Sequence, residues 1–413
     1  MSSTCRQSNR PDRREDDARR HVALYSHDTM GLGHLRRNLA IAARLAQDPV
    51  PTSVLLISGI DGVDRGSLPP GLDLLTLPGV AKRGRRYAAR ALRTELEEIT
   101  ALRSAVIASA LSAFQPDLLI VDKVARGIQG ELDLALEQLT GRGRTRCVLG
   151  LRDILDDPGT TVAEWRASRT HEAVEAHYDA VWWYGDPRVF DPVAEYSLRG
   201  ALRDRSTRTG YLARRAGATP TPPTSDGVEV LCLVGGGQDG GALASAFVRA
   251  PLGPDVRKVV VTGPFMAADE RRAIERTGDA TVLGAVPDCA TLIAGATAVV
   301  TMGGYNTVCE LLAAGTRPLV VPRTYPRVEQ LIRATRLAEL GAVDMLHPRD
   351  LSPGALASWI ELMCDGRRPP APHGVDLDGL ERLPVLIDEL LRSRVPKTQP
   401  SRPRAQEPAH VPA

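Results

Sequence analysis

The chain predicts an α/β protein of two similar, doubly wound halves, and three features of its sequence say so. Residues 298 to 331 read as a short apolar strand, a glycine turn at Gly303-Gly304, a helix, a stop at Gly315, a second apolar strand and a polar loop opening another helix. Strand and helix patterns alternate along most of the chain, the arrangement that builds a parallel sheet with helices on its faces. Between 209 and 227 Pro, Thr and Gly crowd together as in a linker, after which the same design restarts at Val228.

At 413 residues the chain is long enough for two domains, each with its own core, and its 43% hydrophobic content fits a globular protein. Charge is nearly balanced, 52 Lys plus Arg against 50 Asp plus Glu, so no bulk electrostatic argument favours nucleic acid as a partner. The six cysteines show no Cys-x-x-Cys spacing, which argues against a zinc site or a disulfide framework. Residues 1 to 20 are polar and lack the apolar core of a signal peptide, and no later run reaches the ~18 apolar residues of a membrane span, so a cytoplasmic protein is expected. Residues 393 to 413, rich in Pro, Arg and Gln, are expected to be a disordered tail, as is the N-terminal stretch.

Order begins with the strand His21–Ser26, a loop holding Gly31 and Gly33, and a helix through about Ala46. Strands are expected at Ser53–Ser58 and Leu74–Leu77, a long helix from about Ala88 to Ala113, and a buried strand at Pro116–Asp122. Arg146–Leu151 and Ala180–Tyr184 read as further strands, with a helix over roughly Thr161 to His177 between them. In the second half Val228–Val234 runs into the loop Gly235–Gly241, strands follow at Lys258–Thr262 and Thr281–Leu283, and helices at about Pro353–Cys364 and Leu377–Arg392 close the ordered part.

Gly303 and Gly304 remove side chains where the chain leaves a strand, so the N–H groups opening the next helix can approach an anion closely. A phosphate suits that position. Thr307 in the first helical turn can add a hydroxyl, and Glu310 one turn on suits a ribose diol. Glu329 and Gln330 open the following helix at the same sheet edge, where open α/β sheets bind ligands. The Gly235-Gly236-Gly237 loop lacks the Lys and Thr of a phosphate-hydrolysing loop; a cradle for a phosphate or sugar and a simple tight turn both remain open. Gly31-Leu32-Gly33-His34 lacks the third glycine of a dinucleotide fingerprint, which sets aside a nicotinamide cofactor.

For acid–base work His34 comes first, because an unperturbed imidazole titrates near ~6.5. His27 and Asp28 on the same loop compete for the role, Asp122 can orient whichever imidazole acts, and His34 can equally do no more than open its helix. The basic run from Lys82 to Arg93 reads first as a solvated face and second as a patch for an acceptor or an anionic membrane. Arg152-Asp153 also points at the sheet edge, with no role readable from the sequence.

One segment carries a family resemblance. Gly303-Gly304, Thr307, Glu310-Leu311, Ala313, Gly315 and Pro318, a strand ending at Pro322, and the pair Glu329-Gln330 resemble the donor-binding segment of GT-B glycosyltransferases. Among these the resemblance is to the peptidoglycan N-acetylglucosaminyltransferases. It implies two Rossmann-like domains facing a cleft: residues 21–208 on the acceptor side, a linker at 209–227, a nucleotide-sugar domain at 228–368, and a helix within 369–392 crossing back to the first domain. It implies a UDP-sugar donor such as UDP-N-acetylglucosamine, held by Gly235, Gly236, Gly237, Val286 (through its backbone), Gly303, Gly304, Asn306, Thr307, Glu310, Glu329 and Gln330. The acceptor, a small molecule, glycan or lipid-linked sugar, would meet the loop of Gly31 and Gly33. That loop departs from the family's Gly-Gly-x-Gly-Gly-His, with Leu32 in place of a glycine. The implied chemistry is metal-independent inverting transfer without a cofactor. A nucleotide-sugar hydrolase, a 2-epimerase and a non-catalytic nucleotide-sugar sensor are the rival readings, and membrane association is not favoured.

Overall fold

Runs of Val, Ile and Leu buried on both faces can pair side by side only if helices cover them, and that is how the chain folds. The computed structural model describes residues 19–27, 32–60, 66, 68–83, 86–214, 227–236, 238–286, 289–366 and 374–393. The strands are β1 (Arg20–Tyr25), β2 (Thr52–Ser58), β3 (Leu72–Thr76), β4 (Val80–Arg83), β5 (Arg86–Ala89), β6 (Leu118–Asp122), β7 (Arg146–Arg152), β8 (Ala180–Tyr184) and β9 (Ser206–Arg208) in the first half. The second half holds β10 (Val228–Leu233), β11 (Val256–Val261), β12 (Thr281–Leu283), β13 (Ala298–Thr301), β14 (Leu319–Val320) and β15 (Asp344–Met345).

Two parallel sheets result, of order β3-β2-β1-β6-β7-β8-β9 and β12-β11-β10-β13-β14-β15. In each, the chain runs outward in one direction and then returns to the other side of the starting strand. The switch points therefore lie between β1 and β6 and between β10 and β13. A crevice opens at the carboxyl ends of such strands, because successive connections leave in opposite directions. His27 follows β1 and Asp122 ends β6; Gly235 follows β10 and Gly303 follows β13. These four residues thus fall at the two crevices.

Two helices differ from expectation. The stretch read as one helix from Ala88 instead pairs β5 with β4 in a small antiparallel ribbon, and the helix runs Leu96–Phe114 with Glu97 and Glu98 in its first turn. Acidic side chains there complement the helix dipole, whereas the alanines upstream satisfy either pattern. The helix read over Thr161 to His177 is two, Pro158–Ala167 and Thr170–His177, broken at Arg169 by a left-handed backbone with φ of 52°. Asp157 caps the first of them by accepting from Thr160 N at 3.0 Å, with Pro158 next in line.

The halves meet through a buried polar post. Asp153, just beyond β7, receives two hydrogen bonds from Arg333 on the Glu329–Glu339 helix, Nε at 2.6 Å and Nη2 at 2.7 Å, with about 1% of either side chain exposed. Tyr211 Oη donates to the same carboxylate at 2.9 Å, and Arg333 Nη1 donates to Gly303 O at 3.2 Å. Tyr211 stacks on Tyr305, whose hydroxyl accepts from Leu212 N at 3.0 Å. The stretch read as a linker from 209 therefore begins as part of the interface; residues 215–226 lie outside those described. Asp156 adds a second tie, accepting from Val328 N at 2.9 Å and from Arg327 at 3.1 Å, so a carboxylate of one half caps a helix of the other. The Gly379–Arg392 helix packs on the Gly33–Ala46 helix through Leu383 and Ile387, with Arg44–Glu381 and Arg20–Asp388 ion pairs at its edges.

Removing one partner of a buried ion pair strands the other charge, so Asp153→Ala is expected to destabilise the protein by roughly 3–5 kcal/mol. Urea unfolding measures this; a midpoint equal to wild type would show that the halves hold together without the pair.

Candidate active site

At the first switch point a histidine, an arginine and an aspartate interlock. His34 sits at the start of the Gly33–Ala46 helix, partly exposed, and its Nδ1 lies 2.5 Å from Asp122 Oδ2. Arg37, one turn further along and buried, donates from Nη2 to Asp122 Oδ1 at 2.6 Å. A carboxylate can only accept, so Nδ1 carries the proton and donates it to Asp122, leaving the Nε2 lone pair free. Arg37 Nη2 also approaches Nδ1 at 2.9 Å, a contact that follows from both groups converging on one carboxylate. Asn38 Nδ2 holds the turn by donating to His34 O at 3.0 Å.

Burial pushes the His34 imidazole down to about 4, against the pull of the Asp122 charge. Asp122 is itself held well below the usual carboxylate range: burial opposes this, but the Arg37 guanidinium and His34 overcome it. His27 lies beneath, 4% exposed, its ring edge-on to His34 at 5.9 Å with an Nδ1 that has no hydrogen-bond partner. Burial and the nearby Lys123 charge drive His27 well below the normal histidine range. Lys123 follows Asp122 in a left-handed conformation (φ of 71°), and burial together with Arg152 and Arg327 brings its ammonium down to about 7.

At the second switch point the Tyr305–Ala313 helix begins at Gly304 without any side-chain cap. Its first N–H groups are thus free of side-chain competition for an anion. Gly303 has a φ of 75°, and a Cβ there would sit 2.5 Å from Val320 Cγ1, so glycine is required twice over. Thr307 is buried in the first turn. Glu310 lies one turn on and pairs with Arg36 of the first half at 2.9 Å. Asn306 Nδ2 donates to Gly33 O at 3.0 Å, so the starts of the two helices touch. Gly235 and Gly236 form a turn after β10, with Gly235 at φ of 71° and Gly236 O accepting from Phe265 N at 3.0 Å. Val286 is half-buried near the end of β12. Gly31, Gly237 and Asp28 lie outside the described residues.

Glu329 and Gln330 do something other than project into the crevice. Glu329 is 2% exposed and pairs with Arg323 at 2.7 Å and Arg152 at 3.5 Å, and Gln330 Oε1 accepts from Arg323 N at 3.0 Å. Arg323 also reaches Asp239 of the glycine loop at 2.9 Å. This polar pair holds the Arg323 segment against the Gly235–Gly241 turn. Among the described residues no group of three or more His, Cys, Asp or Glu is placed to hold a metal ion.

Comparison with known proteins agrees with the fold. Residues 244–373 match the glycosyltransferase family 28 C-terminal domain. Over 150 residues the chain is 26% identical to the UDP-N-acetylglucosamine–N-acetylmuramyl-(pentapeptide) pyrophosphoryl-undecaprenol N-acetylglucosamine transferase of Actinobacillus pleuropneumoniae serotype 5b (strain L20), covering 34% of this chain and 41% of that relative's length. The solved structure of Acinetobacter baumannii MurG superposes with a TM-score of 0.55 at 14% identity, over 90% of this chain and 99% of that one. The glycosyltransferase VinC in complex with dTDP gives 0.58 at 18% identity, over 90% and 98%. The fold is GT-B. Its second half resembles the peptidoglycan transferases, as the 298 to 331 segment led one to expect. In this GT-B chain the two switch points are the facing walls of one cleft.

Sequence reasoning missed Arg37, Tyr305, Arg333 and Asp153 as site-builders. Arg37 had a readable signal, a second arginine three residues after His34 on one helical face. The Asp153–Arg333 pair had none.

NMR titration of the His34 Cε1–H resonance is expected to give a midpoint near 4, and lower still in Asp122→Asn, which removes the charge that favours the imidazolium. Because this pKa lies below the ordinary imidazole value of about 6.5, the stability His34 contributes is present above that value and is lost as pH falls through the interval to about 4. A midpoint near 6.5 in both proteins would show that the imidazole is neither desolvated nor coupled to Asp122.

Proposed function

We propose that the protein is a glycosyltransferase that moves a sugar from a nucleotide diphosphate donor, a UDP-sugar such as UDP-N-acetylglucosamine, to an acceptor hydroxyl with inversion. The observation that carries this is the contact of the two helix starts. Asn306 at Gly33 O sets the His34–Asp122 pair against the uncapped N-terminus of the Tyr305–Ala313 helix. A general base and an anion site on opposite walls of one cleft are what a single displacement at an anomeric carbon needs.

In the transfer, the acceptor oxygen forms a bond to C1 of the sugar as the bond from C1 to the diphosphate oxygen breaks. The acceptor proton passes to His34 Nε2, and the Asp122 carboxylate stabilises the resulting imidazolium, the role of the carboxylate in other histidine-based sites. The electron pair of the broken bond goes to the departing diphosphate. Its charge is met by the N–H groups at Gly304 to Thr307 and by the Thr307 hydroxyl. Glu310 accepts from the ribose hydroxyls. On this reading the helix N-terminus supplies the stabilisation for which a metal is used elsewhere, and the donor is consumed as a substrate with no cofactor. The first half, with Gly33 at its crevice, takes the acceptor, whether a small molecule, a glycan or a lipid-linked sugar. Among the described residues no helix is long and apolar enough to cross a membrane.

Calorimetric titration with UDP-, GDP- and dTDP-sugars is expected to give selective binding of one nucleotide class, weakened at least 10-fold in Glu310→Ala. Absence of binding by every nucleotide sugar would overturn the reading, and donor consumption in the absence of any acceptor would redirect it to a hydrolase or 2-epimerase. With an acceptor in hand, His34→Ala is expected to lower kcat by about 10²–10⁴ with donor affinity unchanged, the range for loss of a positioned base.

A further inference from the structure

Two consecutive arginines on the Gly33–Ala46 helix face different tasks. Arg37 is buried on Asp122, while Arg36 leaves its own half and donates from Nη2 to Glu310 Oε1 across the cleft at 2.9 Å. The pair is open to water, with 39% of the Arg36 side chain and 26% of the Glu310 side chain exposed. The other arginines lining this interface are committed elsewhere: Arg333 to Asp153, Arg323 to Asp239 and Glu329, Arg327 to Asp156 and Glu164. Arg36 therefore pairs with the carboxylate assigned above to the ribose.

We propose that Arg36 is an exchange residue for the donor: it pairs with Glu310 when the cleft is empty and moves to the donor's diphosphate when the ribose hydroxyls take Glu310. The inference rests on the donor reading given above. Three physical points support it. An exposed ion pair contributes only about 0–1 kcal/mol, so giving it up is easy, whereas a guanidinium on a phosphate makes shorter, charge-assisted and often paired hydrogen bonds. The distance is short, because Glu310 lies five residues, about 7.5 Å along the axis, from Tyr305 at the helix start where a diphosphate would sit. The arginine is also held in place to make the move, since Asn306 at Gly33 O pins the root of its helix to the first turn of the donor helix.

The exchange has a consequence for the reaction. As the C1–O bond breaks, negative charge grows on the diphosphate, and an arginine from the acceptor-side half would stabilise it without any proton changing hands, because guanidinium stays protonated. Arg36 would thereby engage the donor fully only when both ribose and diphosphate are present. A nucleoside alone would compete with Arg36 for Glu310 and gain nothing in return.

The test compares UDP with uridine, UDP by direct calorimetry and uridine by displacement of UDP, in wild type, Arg36→Ala, Arg36→Lys and Glu310→Ala. Thermal unfolding checks that each variant is folded, which the exposure of Arg36 leads one to expect. In Arg36→Ala, UDP is expected to weaken at least 10-fold while uridine binds as well as or better than to wild type; Arg36→Lys recovers part of the UDP loss; Glu310→Ala weakens both. An unchanged ratio of UDP to uridine affinity in a folded Arg36→Ala would overturn the exchange while leaving the donor site intact, because Glu310→Ala still reports on that site. Failure of wild type to bind either probe would overturn the donor reading and the exchange with it.

Discussion

The buried pairing of Asp153 with Arg333 is the constraint on which the cleft depends. Taking two charges out of water is expensive, and their attraction offsets the penalty only when the remaining hydrogen-bonding capacity is also met. Here Asp153 receives both arginine nitrogens and the Tyr211 hydroxyl, and the last arginine nitrogen is used by Gly303 O. That final bond matters most for function. It ties the carbonyl of the Gly303 turn to a carboxylate at the edge of the first half's sheet, so the two crevices cannot drift apart without exposing or orphaning a charge.

Tyr305 extends the same constraint toward the histidine. It opens the donor-side helix, stacks on Tyr211, and has the guanidinium carbons of Arg37 at 5.6 Å and Arg333 at 5.8 Å from its ring centre. Cations over an aromatic face are attracted by its quadrupole, the more so when desolvated. One ring thus lies between the arginine that holds Asp122 and the arginine that holds the domains together. The position of His34 and the position of the Tyr305–Ala313 helix start are set by one packed cluster.

Electrostatics divide the site into two regimes. Around Asp122, burial keeps His34 neutral and Arg37 keeps the carboxylate ionised, so a neutral imidazole and a charged carboxylate lie side by side. In the second half Glu310 on Arg36 and Asp239 on Arg323 form partly exposed pairs, whereas Glu329 is held buried against Arg323. Fixed, desolvated charge suits catalysis, where reorganisation is costly; loosely held charge suits binding and release.

Local chemistry was legible from the sequence. The period of apolar residues, the glycines at 303, 304 and 315 and the Pro-rich break after 209 determined two doubly wound halves and put Asp122 and Gly303 at strand ends and His34 and Glu310 in the helices that follow, because each depends on neighbours within a few residues. Ambiguity arose where Ala-rich stretches satisfy strand and helix alike, as at Ala88, and where a left-handed residue such as Arg169 breaks a helix without glycine or proline to announce it. Glu329 and Gln330 were placed at the right edge but not given their partners, since Arg152 and Arg323 reach them through space. The tertiary structure alone decided that Asp153 meets Arg333, 180 residues away, that Asp122 is shared by Arg37 and His34, and that Arg36 crosses to Glu310. Backbone preference acts within a turn or two of chain, whereas a charge is satisfied by whichever counter-charge the folded packing brings beside it.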